Sequence, residues 1–174
     1  MWDRADLVEV ARETGAELRV VRFIQESNEI EGILRLPMSW EITAHRRLWA
    51  LARIEVADLE EFVRVVAARP LRRHVGQDVR VGRHVAPPGG PEIEVRLARL
   101  LSWLDVRWVT PFVLHRRYEL LHPFVDGNGR SGRALWAWHM TQRGEDPFAL
   151  PFLQWWYYRS LEHVPGARSK SRER

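Results

Sequence analysis

The sequence predicts an all-α fold that carries one small β-hairpin. Apolar residues recur at steps of three and four through most of the chain, which is the spacing of one helix face. Between Arg73 and Gly90 valines instead alternate with glycine, polar residues and proline, as in strands and turns. The chain has 174 residues, 45% of them hydrophobic and 29% charged. It is therefore long enough to bury a core and is not composed like a disordered chain.

The helices are bounded by capping and stop signals. The first two are expected at about 4–14 and about 16–29. Ser39 suits the N-cap of the next helix, Pro70 ends a later one, and Gly144 stops another. The remaining predicted helices cover 39–51, 56–68, a segment that begins at Pro91, 111–123, 130–143 and 148–163.

The valine-rich interval is expected to form a hairpin between two helices. Val79, Arg80 and Val81 alternate as a short strand does, and Pro87-Pro88-Gly89-Gly90 closes the interval. An irregular loop is the alternative for the same residues.

Charge and cysteine content exclude several classes of protein. There are no cysteines, so a disulfide scaffold, a zinc-thiolate site and a cysteine nucleophile are excluded together. The net charge of +4 comes mostly from residues 165–174, which we expect to be a disordered basic tail. A nucleic-acid partner is not expected, because the folded part lacks a basic excess. No apolar run is long enough for a membrane helix, and no signal peptide is apparent, so we expect a cytoplasmic protein.

The segment from His122 to Arg133 carries the chemistry. A glycine-rich loop that runs into a helix offers free backbone N–H groups and the positive end of the helix dipole to an anion. Arg130 and Arg133 are three residues apart, so both can point to one side and bind phosphate oxygens. Asp126 is a hard oxygen ligand for Mg²⁺, and His122 can take a proton near neutral pH. Together these parts indicate phosphoryl or nucleotidyl transfer.

Other motifs fit the same residues less well. Gly127, Gly129 and Gly132 match a dinucleotide-binding fingerprint, but a helix is predicted where that motif requires a strand. A Walker A loop lacks its Lys-Ser/Thr pair, and a calcium loop fails at its sixth and twelfth positions. A glycine-rich turn with surface arginines is the structural alternative.

The whole segment resembles the signature of the Fic family, H-P-F-x-[DE]-G-N-G-R-x-x-R, at every defining position. The resemblance covers roughly residues 16–163, with 73–88 similar to the family's flap hairpin. It implies one Fic domain over 1–164 that transfers AMP from ATP-Mg²⁺ (or Mn²⁺) to a Ser, Thr or Tyr hydroxyl of a target protein. Gly127 stands where phosphate-transferring relatives carry lysine, which favours nucleotidyl transfer.

The resemblance also implies residue roles. His122 would deprotonate the target hydroxyl, Asp126 would hold the metal, and Pro123 and Phe124 would anchor the loop. Asn128 would stabilise charge on the phosphates. The expected nucleotide-binding residues are Gly127, Asn128, Gly129, Arg130, Arg133, Tyr157 and Tyr158. The expected target-docking flap, which would bind the target as an added strand, comprises Val79, Arg80, Val81, Gly82, Arg83, His84 and Val85.

Residues Ser27 to Gly32 resemble the family's inhibitory motif, carried on an N-terminal helix at about 16–31. A carboxylate paired with Arg133 would compete with the γ-phosphate for the same guanidinium. Glu31 is the predicted inhibitory residue, because Gly32 follows it and Ser27 lies four positions before it. Glu29 is its local rival.

Two alternatives to AMP transfer stay open from the sequence. One is removal of AMP from a modified protein, with Glu31 orienting the attacking water. The other is a toxin-like or regulatory interaction module whose activity is latent. The sequence also leaves a homo-oligomer open, whereas a membrane partner is not expected.

Overall fold

The computed structural model describes residues 4–81 and 84–149, with side chains from residue 15 onward except that of Val81. In these ranges the chain forms six helices and one hairpin, so the predicted all-α fold with a small hairpin is confirmed. The helices are α1 (Arg4–Ile30), α2 (Ser39–Trp49), α3 (Val56–Val66), α4 (Glu92–Leu101), α5 (Pro111–Leu121) and α6 (Asn128–Gln142). The strands are β1 (Arg80–Val81) and β2 (His84–Val85). None of the described helices has the length and apolar composition needed to cross a bilayer.

Several expectations lie outside the described residues. They are the helix at 148–163 beyond its first two residues, Tyr157 and Tyr158, the tail at 165–174, and Gly82 and Arg83 of the flap. The single domain over 1–164 therefore stays a prediction.

The N-terminal segment is one continuous helix, and the prediction of two helices at 4–14 and 16–29 is wrong. Gly15 lies inside α1, and among the described residues no atom outside the neighbouring helix backbone comes within 4 Å of the position that a Cβ would take. A glycine in a helix interior costs about 1 kcal/mol relative to alanine, which weakens a helix without ending it.

The core lies between α5, α6 and the helices that surround them. Two indole N–H groups join α2 and its following loop to α6. Trp49 Nε1 donates to Ala134 O at 2.9 Å, and Trp138 Nε1 donates to Leu51 O at 2.8 Å. Fully buried apolar side chains fill the interior, among them Ile24, Leu59, Val63, Ile93, Leu97, Leu114, Tyr118, Phe124 and Leu135.

The hairpin is part of the segment that connects α3 to α4. The strands pair antiparallel, with Arg80 opposite Val85 and Val81 opposite His84. His84 Nε2 lies 2.9 Å from the carbonyl oxygen of Leu120 in α5. The hairpin is therefore fixed beside the end of α5, where the candidate site begins.

Candidate active site

The loop between α5 and α6 is shaped by backbone conformations that few residues adopt. His122 caps α5 in the left-handed region, with φ 48° and ψ 62°, and its N–H donates to Tyr118 O at 2.9 Å. Such a conformation is strained for a residue other than glycine and is typical of functional positions. Gly127 has φ 84°, and a Cβ there would collide with Cβ of Ala67. The glycine is thus required both by conformation and by space.

Side chains within the loop hold it in place. Phe124 is fully buried and forms an isolated bridge with Leu71. The Asn128 side chain makes two hydrogen bonds to the backbone of Phe124. Its Oδ1 accepts from the N–H of Phe124 at 2.8 Å, and its Nδ2 donates to the carbonyl oxygen of Phe124 at 2.8 Å. The sequence assigned Asn128 to phosphate charge, whereas in the structure its amide, 2% exposed, braces the loop.

Arg133 and Glu31 meet at the N-terminus of α6. Arg133 is buried, and its Nη2 lies 2.7 Å from Oε1 of Glu31. Its Nε donates to Ser27 Oγ at 2.8 Å, and Nη2 also donates to Ser27 O at 2.9 Å. A side chain at Gly129 would overlap Oε1 of Glu31, so the carboxylate rests against the first turn of α6. Glu31 therefore occupies the place that the sequence predicts for a phosphate.

The segment that resembles the inhibitory motif ends α1 in a defined way. Gly32 has φ 76°, and its N–H donates to Glu29 O at 3.0 Å while Ile33 N donates to Asn28 O at 3.0 Å. This is how a glycine in the left-handed conformation terminates a helix. The termination places Glu31 just beyond α1, and its rival Glu29 instead accepts from Gln25 Nε2 within the helix.

The structure separates the two arginines that the sequence expected on one side. Arg130 is 7% exposed, and its Nη1 donates to the carbonyl of Val66, the last residue of α3. Carbonyls at a helix C-terminus have no partner within the helix and attract cations. Arg130 thus joins α6 to α3, and Arg133 alone of this pair faces Glu31.

His122 lies in an environment that keeps its imidazole neutral. Burial lowers its pKa below the usual 6.5, and the charges of Arg72 and His84 lower it further. The carbonyl of Glu119 and the carboxylate of Glu31 oppose that shift. A neutral imidazole near pH 7 can accept a proton.

Asp126 is the carboxylate of the loop and lies exposed beside the first turn of α6. Its Oδ1 accepts from the N–H of Gly127 at 2.6 Å, which fixes its orientation. Within 4–81 and 84–149 no cluster of three or more His, Cys, Asp or Glu side chains could hold a metal by itself. A single carboxylate fits Mg²⁺, which is commonly held by one or two carboxylates together with substrate phosphates.

Sequence reasoning missed three residues that position the site. Arg72 is buried and donates to His122 O at 2.7 Å. Asn28 Nδ2 donates to Glu41 Oε1 at 2.9 Å, which ties the end of α1 to α2. Glu41 had a readable signal, since it is the third residue of a helix and its carboxylate accepts from Met38 N at 2.8 Å, as in a capping box. Arg72 and Asn28 had none.

These features define a helical bundle that presents an anion-binding helix N-terminus beside a neutral histidine. The model of the Fic/DOC family matches residues 42–140, more than half of the chain, and the chain belongs to this family. The chain is 32% identical over 80 residues to "Protein adenylyltransferase Fic" of Drosophila willistoni, covering 42% of this chain and 16% of that protein. The protein of the same name from Drosophila erecta is 30% identical over the same length and coverage. The chain thus spans about a sixth of the length of these curated relatives.

The fold has a solved counterpart. A Fic family protein from Desulfovibrio desulfuricans G20 superposes with a TM-score of 0.53 at 24% identity. The match covers 74% of this chain and 49% of that chain. At this identity the likeness establishes the shared fold alone.

Proposed function

We propose that this protein is an adenylyltransferase that moves AMP from ATP to a hydroxyl group of a target protein. The observation that carries the proposal is the position of the Glu31 carboxylate, which lies against Arg133 and the first turn of α6. We call this position the Arg133 seat. That seat holds a carboxylate, and it directly follows the loop that contains His122 and Asp126. The names of the Drosophila relatives point to the same reaction.

The chain's own residues suit each part of the transfer. The hydroxyl oxygen of the target attacks the α-phosphorus of ATP, and the bond to pyrophosphate breaks. His122 takes the proton of the hydroxyl, a role worth about 10²–10⁴ in rate. Its low pKa keeps it ready to accept that proton near pH 7.

The phosphates are held by the start of α6. Backbone N–H groups near Gly127 and Gly129, with the helix dipole, attract negative charge, and the guanidinium of Arg133 takes the γ-phosphate in place of Glu31. Asp126 would hold a divalent cation, which neutralises charge on the phosphates. Asn128 and Arg130 serve by keeping the loop and α6 in place, since their side chains bind Phe124 and Val66.

Glu31 acts as a built-in inhibitor in this proposal. Its carboxylate uses the same guanidinium that the γ-phosphate needs, and like charges exclude each other at one site. Removing the carboxylate admits ATP in its productive position. The flap around β1 and β2 aligns the target beside His122 by pairing with it as an added strand.

Removal of AMP is the second candidate. The Glu31 side chain is 34% exposed, and its charge raises the pKa of His122. Its carboxylate is therefore partly open to water, and in this reaction it would orient the attacking water molecule. A latent interaction module is the third reading, and loss of all transfer under every condition would favour it.

The proposal is tested by labelling with ATP. Glu31→Ala and its control Glu29→Ala, which changes the neighbouring carboxylate of α1, are incubated with Mg²⁺ and ATP labelled at the α- or the γ-phosphate. We expect label from the α-phosphate alone, stronger in Glu31→Ala than in wild type or Glu29→Ala. Adding His122→Ala should abolish the label and leave ATP binding largely intact. Label from the γ-phosphate would overturn the assignment, and no label from either would favour AMP removal or the latent module.

A further inference from the structure

A buried arginine connects the hairpin with the loop that holds His122. Arg72 is 0% exposed and precedes the hairpin by a few residues. Its guanidinium donates four hydrogen bonds, and every acceptor is a backbone carbonyl. The bonds run from Nε to His122 O (2.7 Å), from Nη2 to Leu121 O (3.0 Å), and from Nη1 to Gln77 O (3.0 Å) and Pro87 O (2.9 Å).

The four acceptors belong to two separate parts of the molecule. Leu121 and His122 form the end of α5, where the chain enters the strained left-handed turn. Gln77 and Pro87 lie on the two sides of the hairpin base. The backbone of Arg72 strengthens the same junction, because its N–H donates to Pro123 O at 2.9 Å and its carbonyl accepts from Gly90 N at 2.9 Å.

Burial of this cation is costly and is balanced by carbonyl dipoles. Burial lowers the pKa of Arg72, and the charge of Asp78 at the hairpin base opposes the shift. Only a planar guanidinium can donate in several fixed directions at once, whereas lysine offers a compact point charge. All four hydrogen bonds of the guanidinium go to backbone carbonyls and none to a carboxylate, so the arrangement indicates that Arg72 positions the backbone.

We propose that Arg72 is a positioning residue that couples the flap to His122. It fixes the carbonyl oxygen of His122 and the two chain segments at the foot of the hairpin. It thereby holds the His122 imidazole, which accepts the proton, in register with the strand that docks the target. The catalytic part of this inference rests on the proposed adenylyl transfer. The structural coupling does not, and it can be measured without any transfer.

The first test is amide hydrogen exchange in Arg72→Lys. The matched control is Arg73→Lys, which makes the same change at the next position, where the guanidinium bonds to the carboxylates of Glu60 and Glu94. We expect exchange in residues 77–87 and 121–124 to rise together by at least about tenfold in Arg72→Lys and to stay unchanged there in Arg73→Lys. Acceleration of one segment without the other would overturn the coupling.

The second variant approaches the same junction from the flap. Asp78 Oδ1 accepts from Gly89 N at 2.9 Å and closes the hairpin base. Asp78→Ala should therefore loosen 77–87 and, through Arg72, also 121–124. A loosened flap with unchanged exchange at 121–124 would overturn the proposal, and this variant decides the question even if Arg72→Lys does not fold.

The kinetic test uses Glu31→Ala as the parent. Adding Arg72→Lys should lower kcat for transfer by about 30-fold or more, because small displacements of reacting groups cost about 10²-fold. The KM for ATP should change less than about threefold, because Arg72 does not touch the Arg133 seat. An unchanged kcat, or a loss confined to KM for ATP, would overturn the positional role. Absence of transfer in the parent itself would refute the adenylyltransferase and leave the exchange results to decide the coupling.

Discussion

At the scale of single residues, the site depends on which protonation state His122 holds near neutral pH. Several groups act on its imidazole besides burial. Arg72 and His84 disfavour the protonated form, and the Glu119 carbonyl and Glu31 favour it. The net result is a pKa below 6.5, so the imidazole is a ready acceptor at pH 7.

This environment predicts the acidic limb of the pH profile. A general base works only when neutral, so kcat/KM of Glu31→Ala should stay constant as pH falls and then drop with a midpoint below 6.5. Loss of the Glu31 charge lowers that midpoint further. A titration of kcat/KM between about pH 4.5 and 8 measures it, with His84→Gln as the control that should move it upward. A midpoint above 7 would contradict the assignment of His122.

The same scale explains which roles the sequence could predict. His122, Asp126 and Arg133 lie in one contiguous motif, so their proximity follows from the chain itself. The contacts of Asn128 and Arg130 depend on which carbonyl comes within reach after folding. Phe124 is four residues from Asn128, but Val66 is 64 residues from Arg130, and no local pattern predicts that meeting.

At the scale of elements, a buried hydrogen bond joins the end of α1, which carries Glu31, to α2. Asn28 is 2% exposed and donates to Glu41, which is 1% exposed and also accepts from Arg35 and Met38. Burial raises the pKa of Glu41, but hydrogen bonds from Arg35, Met38 and Asn28 bring it below its ordinary value. The joint is therefore charged at neutral pH and holds the end of α1 in place.

We expect Asn28→Ala to release Glu31 in part. The change leaves a buried carboxylate with one partner fewer, which costs about 1–3 kcal/mol of stability, and it frees the end of α1 from α2. Labelling by α-phosphate-labelled ATP should rise above wild type but stay below Glu31→Ala. The control Gln25→Ala removes only a bond within α1 and should not raise labelling.

A double variant tests whether both changes act on one inhibitory contact. Asn28→Ala added to Glu31→Ala should increase labelling no further, because the carboxylate that the joint positions is already gone. Additive increases would assign Asn28 a separate effect and contradict the proposed joint.

At the scale of the whole molecule, periodicity predicts the helices because each one buries a stripe against a shared core. Periodicity does not predict the side-chain hydrogen bonds that join residues far apart in the sequence. Arg72 binds His122 across 50 residues of sequence, and Arg133 binds Ser27 across 106. Arginine is abundant throughout this chain, so its buried members cannot be distinguished from its surface members by pattern. The fold class could be read from the sequence, but the links that hold the site together could not.

The buried histidines make stability depend on pH. Burial, reinforced by the charge of Arg133, lowers the pKa of His45 to about 4 and that of His115 to about 3. Below pH 6.5 both histidines are protonated in the unfolded chain. In the folded chain His45 takes up its proton only near pH 4, and His115 only near pH 3. The unfolded state binds more protons in this window, so the free energy of unfolding falls as pH falls through it.

One substitution isolates this contribution. Between about pH 7 and 5, His45 should account for roughly 1–2 kcal/mol of the lost free energy of unfolding, at 1.36 kcal/mol per pKa unit. Urea denaturation of His45→Gln at both pH values should show a pH difference smaller than that of wild type by this amount, whatever its absolute stability. The exposed His74 provides the control, because His74→Gln should keep the wild-type difference. An unchanged difference in His45→Gln would mean that His45 takes up its proton in the folded state, which a side chain 2% exposed and packed edge-on against Phe62 should not do.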